Sequence, residues 1–429
     1  MIILGVIILA ATVFALVKQY ETKMILFISG LLMCIIGGNP LAAFQAFAAR
    51  MSTAGLIEAI LSVMGFAFVM KTTECDKHLV NFASRGLLKV RPILIPGAAL
   101  VTFAINTALP SAAGASAAVG AILIPILMEA GISPAMAAAA VLTGTFGSMI
   151  SPGLSHNPFI ANIASVEVMD VIAVHYTADI VSVVIGAASL AILAFLLKED
   201  GRIPGARGKK AQAGMGITTV KVNYLKAVVP VIPILILILG ATKAIGAFTK
   251  ISIPGAMLIG SLLGVLVSLG EAKADKDYFG KVSKSFFDGM GSAYANIMGI
   301  IIAAAVFVKG LESIGLVQSF ISAMIGSPGI VKVAAAFGPF LLGVVSGSGD
   351  AAAIAFNEAV TPQAVQFGLK IVNMGSLAAL GGALGRTMSP LAGAAIIVAG
   401  LAGVNPLEVA KRNAIGMIIA AIVAMIILL

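Results

Sequence analysis

Arg386 stands inside a long apolar stretch, Gly382-Ala383-Leu384-Gly385-Arg386-Thr387-Met388-Ser389-Pro390. A cation at such depth costs about 2.5–3.5 kcal/mol on insertion scales, so it needs an anionic partner. The planar guanidinium matches a carboxylate through two parallel hydrogen bonds. Arg386 is therefore a candidate ligand for a carboxylate substrate, or else half of a permanent ion pair with Asp350 or Glu358. Asp350 follows the string Ser346-Gly347-Ser348-Gly349. With the backbones of Gly349 and Gly385, it is the candidate ion-coupling group, taking Na⁺ or H⁺. A third cluster, Ser155-His156-Asn157-Pro158, offers hydrogen bonds to a second carboxylate, and His156 is of a type that titrates near neutral pH. The hydroxyls of Ser111, Ser116, Thr145, Ser148, Ser346, Ser348, Thr387 and Ser389 are candidate substrate ligands as a group. Each alone is equally able to satisfy nearby backbone.

The elements that carry these residues lie in a membrane. Of 429 residues, 60% are hydrophobic and only 10% charged, far below the quarter or so that a soluble surface needs. Apolar runs near 1–17, 24–38, 54–70, 134–166, 176–197, 224–247, 252–270, 285–308, 366–404 and 413–429 approach or exceed the span of a bilayer. The expected fold is thus an all-α polytopic membrane protein with about 10 transmembrane helices. Segments 92–130 and 328–360 are also apolar but have small polar clusters at their centres. They read as two re-entrant helical hairpins, with two full crossings each as the alternative. Stretches 75–90 and 310–326 alternate at helical spacing, as interfacial helices do. The first segment lacks a basic leader and a cleavage site and reads as a retained span.

The formal charge of +9 could suggest nucleic acid, but most of it falls in loops. The Lys- and Arg-rich loops 71–91 and 198–226 are expected in the cytoplasm, which puts both termini outside. Cys34 and Cys75 form neither a disulfide framework nor a metal spacing. No Walker string supports ATP-driven pumping.

An internal repeat organises the chain. Gly144-Thr145-Phe146-Gly147-Ser148-Met149-Ile150-Ser151-Pro152 and Gly382–Pro390 share the pattern G-x-x-G-x-x-x-S-P at an offset of 238 (389 − 151). Lys71 and Lys309 repeat at the same offset, and Ser111–Ser116 corresponds to Ser346–Ala351 between them. The copies are expected to run in opposite directions, a signature of secondary transporters. The expected division is a first repeat at 1–197, a cytoplasmic linker at 198–223 and a second repeat at 224–429. Within them, the broken helices lie near 134–166 and 366–404. Interrupted helix at membrane depth must line a protein-covered or watery cavity. Half-helix N-termini there suit an anion, and C-terminal carbonyls suit a cation. The repeats differ where charge is read: Arg386 aligns with Ser148, and the first tip has no acid matching Asp350.

Gly347-Ser348-Gly349-Asp350 is also a GxGD string of the kind found in intramembrane aspartyl proteases. That chemistry needs a second aspartate sharing a proton. Asp170, Asp179 and Asp288 are read as lying near span ends, which argues against it. A channel is the other competing class.

In its second half the chain resembles the DcuC-type anaerobic C4-dicarboxylate carriers of the ion-transporter superfamily. The resemblance rests on Gly310–Ser319, the tip Ser346–Gly349, Leu384–Pro390, Val398-Ala399-Gly400 and Pro406–Arg412. It implies transport of succinate, fumarate and malate across a bacterial inner membrane, by ion coupling or exchange and without a catalytic step. The superfamily resemblance further implies a homodimer with an elevator-like motion. Asp350 stands where that family is expected to carry an uncharged residue, and the first tip is unusually rich in Ala. Another small carboxylate is the alternative cargo.

Overall fold

In a computed structural model, residues 2–18, 20–53, 55–87, 93–201, 222–272, 275–324 and 328–429 are described. Most of the expected linker 198–223 lies outside them. The described secondary structure is helical, with one isolated antiparallel bridge between Ile132 and Asp200.

The first half runs through α1 (Ile2–Val17), α2 (Thr22–Ile36), α3 (Leu41–Met51), α4 (Leu56–Thr72) and α5 (Cys75–Leu87). It continues with α6 (Leu94–Ala108), α7 (Ala112–Glu129), α8 (Pro134–Thr143), α9 (His156–Ala164) and α10 (Val168–Leu196). The second half begins with α11 (Tyr224–Val228), α12 (Ile232–Ala241), α13 (Ile253–Val267), α14 (Leu269–Ala272), α15 (Tyr278–Ala293) and α16 (Gly299–Ser313). It ends with α17 (Leu316–Met324), α18 (Pro328–Ser346), α19 (Gly349–Ala359), α20 (Ile371–Thr387), α21 (Gly393–Ala402) and α22 (Pro406–Leu428). A π turn at Tyr294–Met298 joins α15 and α16 into one 36-residue rod.

Among the described residues, six helical segments are long and apolar enough to cross a bilayer, or seven if the bent pair α3–α4 is one span. The six include α7, α10, the α15–α16 rod and α22. Shorter apolar helices of 10–17 residues, among them α2, α6, α13 and α21, accompany them. This is a multi-pass membrane protein. The amphipathic stretches expected at 75–90 and 310–326 are the short helices α5 and α17, where the chain is described.

Sequence-encoded caps set the helix starts. The Ser133 and Ser252 hydroxyls accept from Met136 and Gly255 N–H, with Pro134 and a proline after Ile253 in the first turn. Asn405 caps α22 in the same way, with Pro406 at its first position. A side-chain oxygen there satisfies an N–H that the helix leaves open, and proline needs none.

Four of the buried clusters fall into two bodies of helices. One draws on α6–α10 together with α18 and α20–α22. The other draws on α2, α4, α12, α13, α15 and α16, and takes in Phe159 of α9 and Ile354 of α19. Each body therefore takes helices from both halves of the chain. In the second, α2 packs on α16 and α13 packs on α4. The contact is close because Gly30 and Gly310 lie backbone against backbone, with no room for a Cβ on either. Small residues of this kind let helices approach in lipid, where van der Waals contact is the main attraction.

Candidate functional site

Both expected broken spans interrupt regular helix, but in different ways. After α8, the chain tightens into a 3₁₀ segment at Gly144–Ile150, then opens through Ser151 before α9 starts at His156. Gly144 and Gly147 permit this by pressing directly on the backbone of α6. The freed polar groups are satisfied from that helix: Asn106 Oδ1 accepts the Ser148 N–H at 2.8 Å, and the Thr107 hydroxyl donates to the Gly147 carbonyl at 2.9 Å. In the second copy, α20 stays helical to Thr387, and a short break leads to α21 at Gly393. Gly385 presses on the Phe340 carbonyl of α18, as Gly147 presses on the Phe103 carbonyl of α6.

The helix pairs α6–α7 and α18–α19 turn at Leu109–Ser111 and at Gly347–Ser348. Ser111 and Ser348 each cap the returning helix, accepting from Gly114 N–H at 3.1 Å and Ala351 N–H at 3.4 Å. Gly347 takes φ +74°, a left-handed conformation natural to glycine. It lies against the Leu391 backbone, so the second tip rests on the second break.

Three of these elements converge. Asp350, in the first turn of α19, places Oδ1 3.1 Å from His156 Nε2 on α9. Arg386, in the last turn of α20, donates to the Thr145 carbonyl at 3.1 Å and to its hydroxyl at 3.4 Å. A cation there also complements the C-terminal end of its helix dipole. His156 is 1% exposed while the Asp350 side chain is 56% exposed, so the cluster opens at Asp350. Arg386, Asp350, His156 and Thr145 thus come together from two helices of each half.

The permanent ion pairs considered for Arg386 do not form. Glu358 is taken by Arg50 of α3, and Asp350 bonds His156 instead. Among the described residues, no carboxylate lies within 4.0 Å of Arg386. Its donors are partly met by an uncharged carbonyl and hydroxyl, and the nearby Asp350 acts on its charge without bonding it directly.

The remaining expected ligands are engaged differently. The Thr387 hydroxyl donates to the Ala383 carbonyl, and Ser389 Oγ accepts the Leu391 N–H. Ser346 donates to the Leu342 carbonyl and accepts from Ser348 N–H. Ser148 contributes its backbone rather than its hydroxyl to a bond. Ser116 Oγ is buried without a hydrogen-bond partner. Among the described residues, no hydrogen bond joins Ser111 or Ser116 to the Arg386 cluster. Gly349 packs against the Gly382 carbonyl and Gly385 against α18, so both act as close-approach points.

Asn157 holds the first break from within. Its Nδ2 donates to the Met149 and Ser151 carbonyls, both at 2.8 Å. Behind it stands a pair that the sequence reading missed. His175 Nε2 meets Asn157 Oδ1 at 3.0 Å, and His175 Nδ1 meets Asp179 Oδ2 at 2.6 Å. Asp179 was expected near a span end. It lies instead well inside the 29-residue α10 and is fully buried, as is His175. The available signal was the i, i+4 spacing of two ionisable groups within an apolar helix. Asn413 is a second omission: it accepts from the Thr143 hydroxyl and donates to the Thr387 carbonyl, tying both broken spans to α22.

A separate cavity of about 280 Å³ lies between α3, α16 and α19. Arg50, Thr53, Lys309, Glu312 and Glu358 line it, and Arg386 does not.

The sequence profile of the C4-dicarboxylate anaerobic carriers, DcuC, matches residues 35–429. An uncharacterized transporter of Haemophilus influenzae is 44% identical over 277 residues, covering 63% of this chain and 97% of that protein. A second from the same organism is 51% identical over 135 residues, covering 32% of this chain and 93% of its own. The anaerobic C4-dicarboxylate transporter DcuC of Escherichia coli K12 is 26% identical over 453 aligned positions, covering 99% of this chain and 95% of its own.

Proposed function

This chain belongs to the DcuC family of C4-dicarboxylate anaerobic carriers, and on that premise we propose that it is a secondary active transporter of succinate, fumarate and malate in the bacterial inner membrane. The observation that carries the reading is Arg386: a cation held at the end of a membrane helix by Thr145, with no carboxylate partner within 4.0 Å among the described residues. A substrate carboxylate supplies the missing charge and forms two strong hydrogen bonds at once. The second carboxylate of a C4 acid then faces His156 and the polar groups around the first break.

In this reading residues 1–197 and 224–429 are inverted repeats with about ten crossings, and each contributes one re-entrant hairpin. The parallel glycine contacts, Gly147 on Phe103 and Gly385 on Phe340, support it. So does the pairing of α2 with α16 and α13 with α4. The body holding both breaks moves against the other, elevator-fashion, within a homodimer. Asp350 serves the coupling ion, Na⁺ or H⁺, or orients Arg386. The protease alternative loses ground because the Asp350 carboxylate meets a histidine rather than a second aspartate.

Counterflow in proteoliposomes tests the proposal. Vesicles preloaded with unlabelled succinate should take up external labelled succinate saturably and transiently. Absence of counterflow with succinate, fumarate and malate alike would overturn the assignment.

A further inference from the structure

The substrate cluster makes no use of the buried His175–Asp179 pair, yet hydrogen-bond chemistry fixes how many protons that pair holds. The Met149 and Ser151 carbonyls can only accept, so the Asn157 atom facing both must be its amide nitrogen. Asn157 Oδ1 is then the atom turned to His175, at 3.0 Å, and it can only accept. His175 Nε2 must therefore carry a proton. Between Nδ1 and Asp179 Oδ2, at 2.6 Å, there is one further proton to share. It sits either on the acid, facing a neutral imidazole, or on the imidazole, facing a carboxylate. In both arrangements the pair is neutral overall.

We infer that the Asp179–His175 pair is the proton-binding site of this carrier, releasing its proton only when the Asn157 clamp on the first break opens. The inference rests on the carrier reading, names its coupling ion as the proton, and moves the ion site from Asp350 to this pair, leaving Asp350 the role of orienting Arg386. Loss of one proton leaves Asp179 as a carboxylate accepting from Nδ1–H, with a bare lone pair on Nε2. That lone pair then faces the Asn157 carbonyl oxygen, acceptor against acceptor. Asn157 restores a donor only by turning its amide, which withdraws Nδ2 from Met149 and Ser151. The released break directly precedes His156, the partner of Asp350. Deprotonation in the closed geometry would also strand a net negative charge where both residues are 0% exposed and Asp179 Oδ1 has no partner. Such a charge is strongly disfavoured in apolar surroundings. Proton release and opening of the break are therefore one event.

The neighbouring charges leave this pair to itself. Helices α6, α8 and α12 and the 3₁₀ segment, all packed on α10, carry no ionisable side chain. From α9 comes His156, bonded to Asp350, and from α20 comes Arg386, bonded to Thr145. From α22 come Glu408, Lys411 and Arg412. Of these, Arg412 is bonded to Glu199, just past the end of α10 at Leu196, which lies 17 residues or about 25 Å along the helix from Asp179. On α10 itself, Asp170 and Tyr176 complete the set.

Two measurements test the inference. In sodium-free proteoliposomes, an inward proton gradient should accelerate succinate uptake by the unaltered protein. Asp179→Asn keeps a donor toward Nδ1 and mimics the protonated pair, so counterflow should persist while the gradient loses its effect. Gradient-driven uptake undiminished in Asp179→Asn, or uptake driven by sodium alone, overturns the inference while leaving the carrier reading intact. Failure of counterflow in the unaltered protein strikes the carrier reading instead, and a second, substrate-free readout then decides. The chain has three histidines, so a ¹⁵N-histidine spectrum with His175→Gln identifies the His175 signal. That signal should show a protonated Nε2 at neutral pH. An unprotonated Nε2 overturns the inference.

Discussion

His156 Nε2 on α9 lies 3.1 Å from Asp350 Oδ1 on α19, so the start of a helix in the first half meets the start of one in the second. This contact occupies the carboxylate closest in type and position to Arg386 and leaves that guanidinium to its Thr145 contacts. His156→Ala should therefore free Asp350 to pair with Arg386. We expect succinate KM to rise about tenfold or more, the scale of one lost charge-assisted hydrogen bond. His156→Ala with Asp350→Asn should recover part of that loss. Initial uptake rates over a range of succinate concentrations check both.

Backbone contact at the breaks has a sharp consequence for stability. Alanine at Gly147 or Gly385 would drive a Cβ into the Phe103 or Phe340 carbonyl. Overpacking of this kind typically costs 1–3 kcal/mol. Both variants should unfold at lower temperature in detergent. Gly393→Ala, where a Cβ meets nothing within 4 Å, should leave the Tm unchanged or slightly raised.

The buried amide of Asn413 makes a smaller but testable contribution. It accepts from Thr143 and donates to Thr387, so Asn413→Leu abandons a hydroxyl and a carbonyl together. Polar contacts between membrane helices average about 0.6 kcal/mol and reach about 1.7. A loss of about 1 kcal/mol is expected from reversible unfolding in mixed micelles, with Thr143→Val losing less because the Thr387 carbonyl keeps its donor.

Motion of α19, which carries Asp350, against α3 is tested at Arg50 and Glu358, which join the two helices. With the buried cysteines Cys34 and Cys75 replaced, cysteines at 50 and 358 bridged by a short thiol reagent should stop transport. Cleaving the bridge should restore it. Full transport in the bridged state would contradict an elevator-like step involving this contact.

The sequence made the charged residues and the breaks visible for a physical reason. Arg386 and Asp350 stand out because ionisable groups in apolar runs are costly, and the twin G-x-x-G-x-x-x-S-P strings mark where helix must stop. Partner choice was not legible. Glu358 pairs with Arg50, 308 residues away, because α3 and α19 meet in space, and no spacing along the chain encodes that. The hydroxyls at Thr387 and Ser389 looked like ligands by composition, but the end of α20 and the break after it absorb them locally. His175 and Asp179 were hidden by their own helix, whose strong overall hydropathy masks two polar residues on one face.

The central claim is that Arg386 binds a carboxylate of the substrate, and the most direct measurement is ligand-induced thermal stabilisation of the purified protein. Succinate should raise the Tm of the unaltered chain in a saturable way, and its uncharged diamide should not. Arg386→Lys, whose point charge lacks the planar fork, should need about tenfold more succinate or fail to respond. An identical succinate response in Arg386→Lys, or an equal response to the diamide, would contradict the account.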